Sequence, residues 1–475
     1  MKNKKKLIII ISVAAVVLIC AAAGIYLGFI KGGKEPSLQE TIDSRISAYE
    51  TDLRDSLASM TDQESAAKYI ATWAENKGID TKIDRNNNVI LTLDATSGFE
   101  NRSPVVIICG YDYASMETYI NSIVCAMTVA KNDRPHGAYR IIFLSQEGGN
   151  TQSVKELSAG YFPDNAEIFY LGNASSSRIV TATGGYEQYE VTRSLNRTES
   201  TYNKAYKITI SGLPAQKTGV KSAYEPNPVK TLGNLLANFK STSIVFELAS
   251  FGGGISCDST PSSAAVTVVI NEDASEKLEK KLDSAIEKFY DKYQDKYPDA
   301  SYTYEIVETP SSVLSSEDTE AIISLMYTSL NGAYYTDDND DVAALTNIGY
   351  AGTDGGTFSM KVSALGCDAD LMSEIQEAYA TICVLSGMDF SVKQQYQPFV
   401  INDAGSALGK TFTEAYSIFR STKLSQGILT DFIPGEILAG KNSNAVMLVL
   451  GVTERTKDNF AGGLVTYLEM EKISE

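Results

Sequence analysis

An unbroken apolar run over residues 7–30, preceded by the basic head Lys2, Lys4, Lys5 and Lys6, divides this chain into two unequal parts. At about 1.5 Å per helical residue, the run is long enough to cross about 30 Å of hydrocarbon. The basic flank stays in the cytoplasm under the positive-inside rule, and everything after Lys31 is then outside. A cleaved signal peptide would carry a shorter apolar stretch, of about 7 to 15 residues. Residues 21–24 offer small side chains for cleavage and Cys20 offers a lipid attachment point, but Ile19 is bulkier than lipoprotein processing favours. The expected organisation is a cytoplasmic tail at 1–6, a transmembrane helix at 7–30, a stalk at 31–37 and a large extracytoplasmic part of a single-pass cell-membrane protein.

That outer part is long enough for two or three domains, each burying its own core. The cysteines Cys109, Cys125, Cys257, Cys367 and Cys383 are scattered with no CxxC pair, so neither a zinc knuckle nor a redox motif is indicated, and buried free thiols are expected. A formal net charge of −18 argues against nucleic acid and against an anionic membrane surface as a partner.

Histidine usage excludes more. The chain has one, His136, in the turn-like stretch Asn132-Asp-Arg-Pro-His-Gly137, where a solvated surface residue is expected. Chemistry that needs two imidazoles is unavailable. Ser-His-Asp and Cys-His catalysis and most zinc hydrolase sites lose their usual base or ligands. Gly-x-Ser-x-Gly is also missing.

Helical patterns at 38–57 and 64–77 lead into buried β-branched runs at 88–93, 104–109, 139–144 and 166–171, with helices at 119–130 and 152–157 between them. Strands of this kind separated by helices predict an α/β layer with a mixed, mostly parallel sheet. Past Gly185 the strands alternate polar and apolar, as at 206–210 and 264–270, and helices such as 228–239 and 275–296 lie between them. That texture predicts α+β. A helix at 408–420, a strand at 445–450 and a helix at 459–471 then return to the first texture, so an inserted domain is expected.

Several stretches resemble the aminoacylhistidine (Xaa-His) dipeptidases of the co-catalytic zinc aminoacylase and carboxypeptidase superfamily. Residues 84–110, with Arg85-Asn-Asn-Asn-Val-Ile90 and Pro104-Val-Val-Ile-Ile-Cys-Gly110, are similar to the family's approach to its G-H-x-D metal motif. Phe143-Leu-Ser-Gln-Glu147 resembles the strand ending in D-E-E, and Phe169-Tyr-Leu-Gly172 the strand ending in L-D. Ile210-Ser-Gly-Leu-Pro-Ala-Gln-Lys-Thr-Gly219 resembles the lid's G-L-x-G-G-H-S-G, with further similarity at 252–264 and 325–365. The resemblance implies a zinc-exopeptidase-type domain at 38–198 and 402–475, an inserted α+β lid domain at 199–401, and a homodimer through the lid.

It also implies two zinc ions about 3.5 to 4 Å apart, sharing a bridging carboxylate and an activated water. Carried onto this chain, the first histidine falls on Tyr111, the aspartate two beyond it on Tyr113 and the bridging aspartate on Ile120. The paired glutamates become Glu147, at the catalytic base position, and Gly148. The next ligand aspartate is Gly172, the lid histidine Lys217 and the lid arginine Ser363, and residues 453–460 hold no histidine. Glu147 is the one residue of the set that survives, and no metal or other cofactor is expected.

Asp112, Glu117 and Glu147 form a set of carboxylates able to bind calcium or magnesium, but acidic side chains fill nearly any surface of so acidic a chain. Asp337-Asp-Asn-Asp-Asp341 lacks the glycine and closing glutamate of an EF-hand loop and reads as a solvated turn. Two functions remain: a non-catalytic relative binding a peptide, a cell-wall fragment or a protein outside the membrane, and a hydrolase with an altered site around Glu147.

Overall fold

The computed structural model describes residues 36–146, 151–401 and 405–470. The expected transmembrane run at 7–30 lies outside them; among the described residues no helix is long and apolar enough to cross a membrane.

Helix α1 (Leu38–Ser56) opens on a capping box between Ser37 and Glu40, and α2 (Gln63–Asn76) on a similar reciprocal pair, Asp62 and Ser65. Both boxes satisfy amide groups that a first turn leaves unpaired. Strands β1 (Asp80–Ile83), β2 (Val89–Leu93), β3 (Val105–Tyr111), β4 (Tyr139–Ser145), β5 (Glu167–Asn173) and the N-terminal half of β6 (Arg178–Ser194) form the first sheet together with strands Val446–Val452 and Ser425–Phe432. Its centre is parallel: β4, β3, β5 and Val446–Val452 lie side by side in that order. Antiparallel partners close both flanks, through β2 against β4 and β6 against Val446–Val452. The sheet is therefore mixed α/β with a parallel core, as the β-branched runs predict.

Alternation of side chains explains how this sheet is covered. Val105, Ile107 and Cys109 of β3 join one apolar cluster with α1, α2, helix α3 (Met116–Ala130) and helices Ala407–Arg420 and Lys457–Glu469. Val106 and Ile108 face the opposite way, into a cluster with Val154 of α4 (Gln152–Glu156) and Leu438. A sheet covered on both faces has no wet side, and each fully buried Ile or Val there contributes about 1.5–3 kcal/mol.

The second layer is antiparallel. Strands Ser301–Val307, Lys204–Ser211, Ala264–Ile270, Glu247–Gly254, Val342–Gly352 and Thr357–Gly366 pair in that order, followed by the C-terminal half of β6 and Asp389–Tyr396. Helices Pro228–Ser241, Ser275–Tyr293, Ser316–Thr328 and Ala369–Ser386 help to build its separate core. Strand β6 is common to both layers and changes sheet near Gly184: Thr183 still pairs with Leu429, whereas Gly185 pairs with Gly366. Close approach sets the residue type here, because a Cβ on Gly184 would lie 1.9 Å from the Thr430 carbonyl oxygen.

The five cysteines from Cys109 to Cys383 are buried free thiols. His136 departs from expectation. It is 7% exposed, stacks edge-on against Tyr139, and its Nδ1 lies 2.9 Å from the Gly137 carbonyl oxygen. The turn folds back onto residue 96, with Thr96 N–H donating to the His136 carbonyl, so the imidazole is covered rather than solvated.

Candidate functional site

Strands β3, β4 and β5 run parallel and end side by side at Tyr111, Ser145 and Asn173. A cleft opens beyond these carboxyl ends, where open α/β sheets hold ligands. It encloses about 880 Å³, counting the part open to solvent. Gly110, Tyr119, Gln146, Tyr170 and Asn173 form its floor, Lys217, Thr218 and Asp258 come from the antiparallel layer, and Asp431 and Phe432 close one side.

The loop that carries Lys217 is fixed from behind. Buried Asn347 donates from Nδ2 to Thr218 Oγ1 at 3.0 Å, to the Ser259 carbonyl at 3.0 Å and to the Cys257 carbonyl at 3.2 Å. Buried Ser363 donates to the Cys257 carbonyl at 2.7 Å. A loop with its interior polar groups satisfied in this way holds its outward side chain in one place. Lys217 then reaches Tyr119 of α3, donating to the phenol oxygen, and its Nζ lies 4.8 Å from the ring centre. Tyr119 donates to Gln146 Oε1 at 3.0 Å, and Gln146 Nε2 donates to the Tyr170 hydroxyl at 3.0 Å.

Electrostatics fix the protonation of this chain of contacts. Burial weighs against charge on Lys217, but Tyr119, Asp431 and Asp112 outweigh it and hold its pKa above the usual lysine range. Burial pushes the Tyr119 phenol up, against the pull of Lys217. Burial likewise raises Asp431, opposed by Lys217 and the Val220 N–H, and raises Asp258, which accepts a hydrogen bond from Tyr186. At neutral pH the lysine is an ammonium and the tyrosine a neutral phenol. Such a constellation can hold and orient a ligand; Lys217, being protonated, is no base. Burial also pushes the Cys257 thiol up to about 11, so it is no thiolate nucleophile.

The residues singled out from sequence are scattered by this geometry. Tyr111 is 0% exposed and belongs to the odd-numbered set of β3 that faces the helices, with its hydroxyl on the Asn87 carbonyl. Ile120, expected at the bridging position, is 1% exposed in the same core; Thr118 and Tyr119 are the residues of α3 that line the cleft. Tyr113 packs against that core, and its N–H donates to Gln63 Oε1 at 3.0 Å. Gly172 does line the cleft, where a Cβ would meet Leu429 at 2.5 Å. Ser363 supports the loop from inside, and Lys217 faces the cleft. Glu147 and Gly148 lie outside the described residues.

Of the candidate carboxylates, Asp112 caps the turn ahead of α3, whereas Glu117 is exposed and ion-paired to Arg54 at 2.6 Å. The acidic turn at 337–341 is not wholly solvated, since Asp341 pairs with Arg178 of β6. Among the described residues no group of three or more His, Cys, Asp or Glu side chains could hold a metal ion. Zinc needs imidazole, thiolate or carboxylate donors, and a core tyrosine, a core isoleucine and a glycine supply none. The described residues do not fit a zinc pair.

Sequence reasoning missed Asn173, Asp258 and Asp431. Asp431 lies one residue before the end of strand Ser425–Phe432, whose short run Gly427-Ile-Leu-Thr-Asp431 carries an apolar signal that marks the strand and nothing that marks the site.

No protein-family model matches the chain. A stretch of 45 residues is 42% identical to the cytosol non-specific dipeptidase of Escherichia coli (strain K12), covering 10% of this chain and 9% of that protein. The match therefore spans less than a tenth of the relative's length. Aminoacylhistidine dipeptidase from Vibrio alginolyticus shares the structure at a TM-score of 0.59 and 19% sequence identity, over 86% of this chain and 93% of that one. The chain has the fold of that dipeptidase; an identity this low carries the fold and no activity.

Proposed function

We propose that this protein is a non-catalytic relative of the Xaa-His dipeptidases that binds a short peptide, or a peptide-bearing cell-wall fragment or protein segment, in the cleft between its two layers. The observation that carries this reading is the packing of Tyr111 and Ile120: both fill a hydrophobic core where the resemblance implies zinc ligands. What faces the cleft instead is Lys217 and Tyr119, joined to Gln146 and Tyr170, donors and rings suited to holding a peptide group. In this reading residues 7–30 anchor the chain in the cell membrane with the rest outside, and residues 199–401 act as the lid. Self-association through the lid belongs to the same proposal. Tyr327, Val384 and Leu385 are 63%, 79% and 79% exposed on helices joined by a Ser386–Ser324 hydrogen bond.

The test is metal content and zinc titration of the purified full chain, with a dipeptide hydrolysis assay beside it. The expected result is no stoichiometric zinc, affinity no tighter than roughly millimolar, and no turnover. Stoichiometric zinc with turnover would sink the proposal. The other reading, a hydrolase built around Glu147, draws on Gln146 lining the cleft one residue before it. Turnover abolished in Glu147→Gln and retained in Tyr111→Phe would establish it.

A further inference from the structure

Two hydrogen-bond acceptors in the cleft lack a donor. Asn173 Oδ1 and Asp431 Oδ1 are both buried and neither accepts a hydrogen bond, although both residues line the same cavity. Their neighbouring atoms are engaged: Asn173 Nδ2 donates to Ser122 at 3.3 Å, and the Val220 N–H faces the Asp431 carboxylate. A buried acceptor left without a donor costs about 1–3 kcal/mol, more when it is charged, so two in one cavity mark a place where a donor is expected from outside the chain.

Charge narrows what that donor is. Lys217 is the ammonium of the cleft lining, and the carboxylates of Asp431, Asp258 and Asp112 all act on it or are acted on by it. Lys221 also acts on Asp431, so three carboxylates face two ammonium groups, which leaves the surroundings net negative and favours a further cation. Tyr170, Tyr186 and Phe432 line the same cavity, and faces of this kind attract an ammonium at close range. Neutral donors such as hydroxyls would satisfy Asn173 Oδ1 but would leave the charge uncompensated.

We infer that the cleft recognises a primary ammonium group, the free N-terminus of a short peptide, by hydrogen bonds to Asn173 Oδ1 and Asp431 Oδ1. The inference rests on the reading of the cleft as a peptide site and adds which end of the peptide it reads. Lys217, with one of its N–H groups committed to Tyr119, has others to offer a carbonyl or carboxylate of the same ligand.

The experiment is titration calorimetry of the full chain in detergent with alanyl-alanine and with N-acetyl-alanyl-alanine at pH 7. Acetylation removes the charge and donor capacity, so it should weaken binding about ten- to a hundredfold. Asp431→Asn and Asn173→Ala, each verified as folded by its melting curve, should narrow that ratio. Equal binding of the two peptides to the unaltered protein overturns the ammonium assignment and leaves the peptide cleft standing. A ratio that both variants preserve places the ammonium elsewhere and also overturns it. Binding of neither peptide removes the peptide cleft, and this inference with it.

Discussion

Lys217 donates across the cleft to the phenol of Tyr119, tying a loop of the antiparallel layer to the helix that follows β3. Charge-assisted hydrogen bonds contribute about 1.5–3 kcal/mol, and this one joins two separate cores rather than parts of one. Lys217→Met keeps the aliphatic stem and removes the donor. The loop itself stays folded, because Asn347 and Ser363 hold it from behind. Amide exchange at residues 213–220 should speed up about tenfold in this variant, with the core of strand Ala264–Ile270 unchanged. Unaltered exchange in the loop would show that the contact does not hold the layers together.

Asp431 makes a prediction about pH. Burial raises its pKa above the ordinary 3.8, against Lys217 and the Val220 N–H. The native state therefore holds the proton more readily than the unfolded chain, and stability falls as pH rises from 3.8 through the raised value. Asp431→Asn removes that penalty. Its melting temperature should exceed that of the parent at pH 7 by about 2 °C, and the gain should vanish as pH is lowered below the ordinary carboxylate range. A variant equally destabilised at both pH values would show that the carboxylate is well paired in the fold.

The base layer was legible in the sequence because a parallel sheet covered on both faces needs continuous β-branched runs, and Val105-Val-Ile-Ile-Cys109 can serve little else. Side-chain direction was harder to read. Matching motifs by order put Tyr111 and Ile120 at ligand positions, yet Tyr111 shares its parity with Val105, Ile107 and Cys109, which already pointed it at the helices. Ile120 sits one position past the cleft-lining Thr118 and Tyr119, a turn of about 100° on a helix, which aims it at the core instead of the cleft. Asn173, Asp258 and Asp431 were not legible at all: they meet only because β5, the loop after Glu247–Gly254 and strand Ser425–Phe432 converge in space.

Arg178 and Asp341 form another tie between the layers. Their side chains are 9% and 18% exposed, and Arg178 also donates to the Ile428 carbonyl at 3.1 Å and, from Nε, to Ser176 at 2.9 Å. Removing one partner from a buried pair strands the other charge, at a cost of about 3–5 kcal/mol. Asp341→Asn and Arg178→Met should each lower the unfolding free energy by that amount in a denaturant titration, and the double variant should be less destabilised than the sum of the two. Strict additivity in this cycle would mean that the pair is not coupled.

Gly172 tests whether lost zinc chemistry can be put back one residue at a time. The resemblance implies an aspartate there, but a Cβ at this position would lie 2.5 Å from Leu429 Cδ2 and 3.2 Å from Ile433 Cδ1. Both side chains belong to the core beneath the sheet, so neither gives way freely. Gly172→Asp would also introduce a carboxylate beside Asp431, whose own charge burial already opposes. Overpacking of this kind costs about 1–3 kcal/mol before any charge is counted. The variant should melt below the parent and bind no zinc by titration calorimetry. Its companion Gly172→Asp with Leu429→Ala should recover stability by making room, and still bind no zinc, because Tyr111 and Ile120 remain buried in the helix-side core. Zinc binding restored by either variant would place the missing ligands among residues that already face the cleft, and the two-core account of the lost metal site would be wrong.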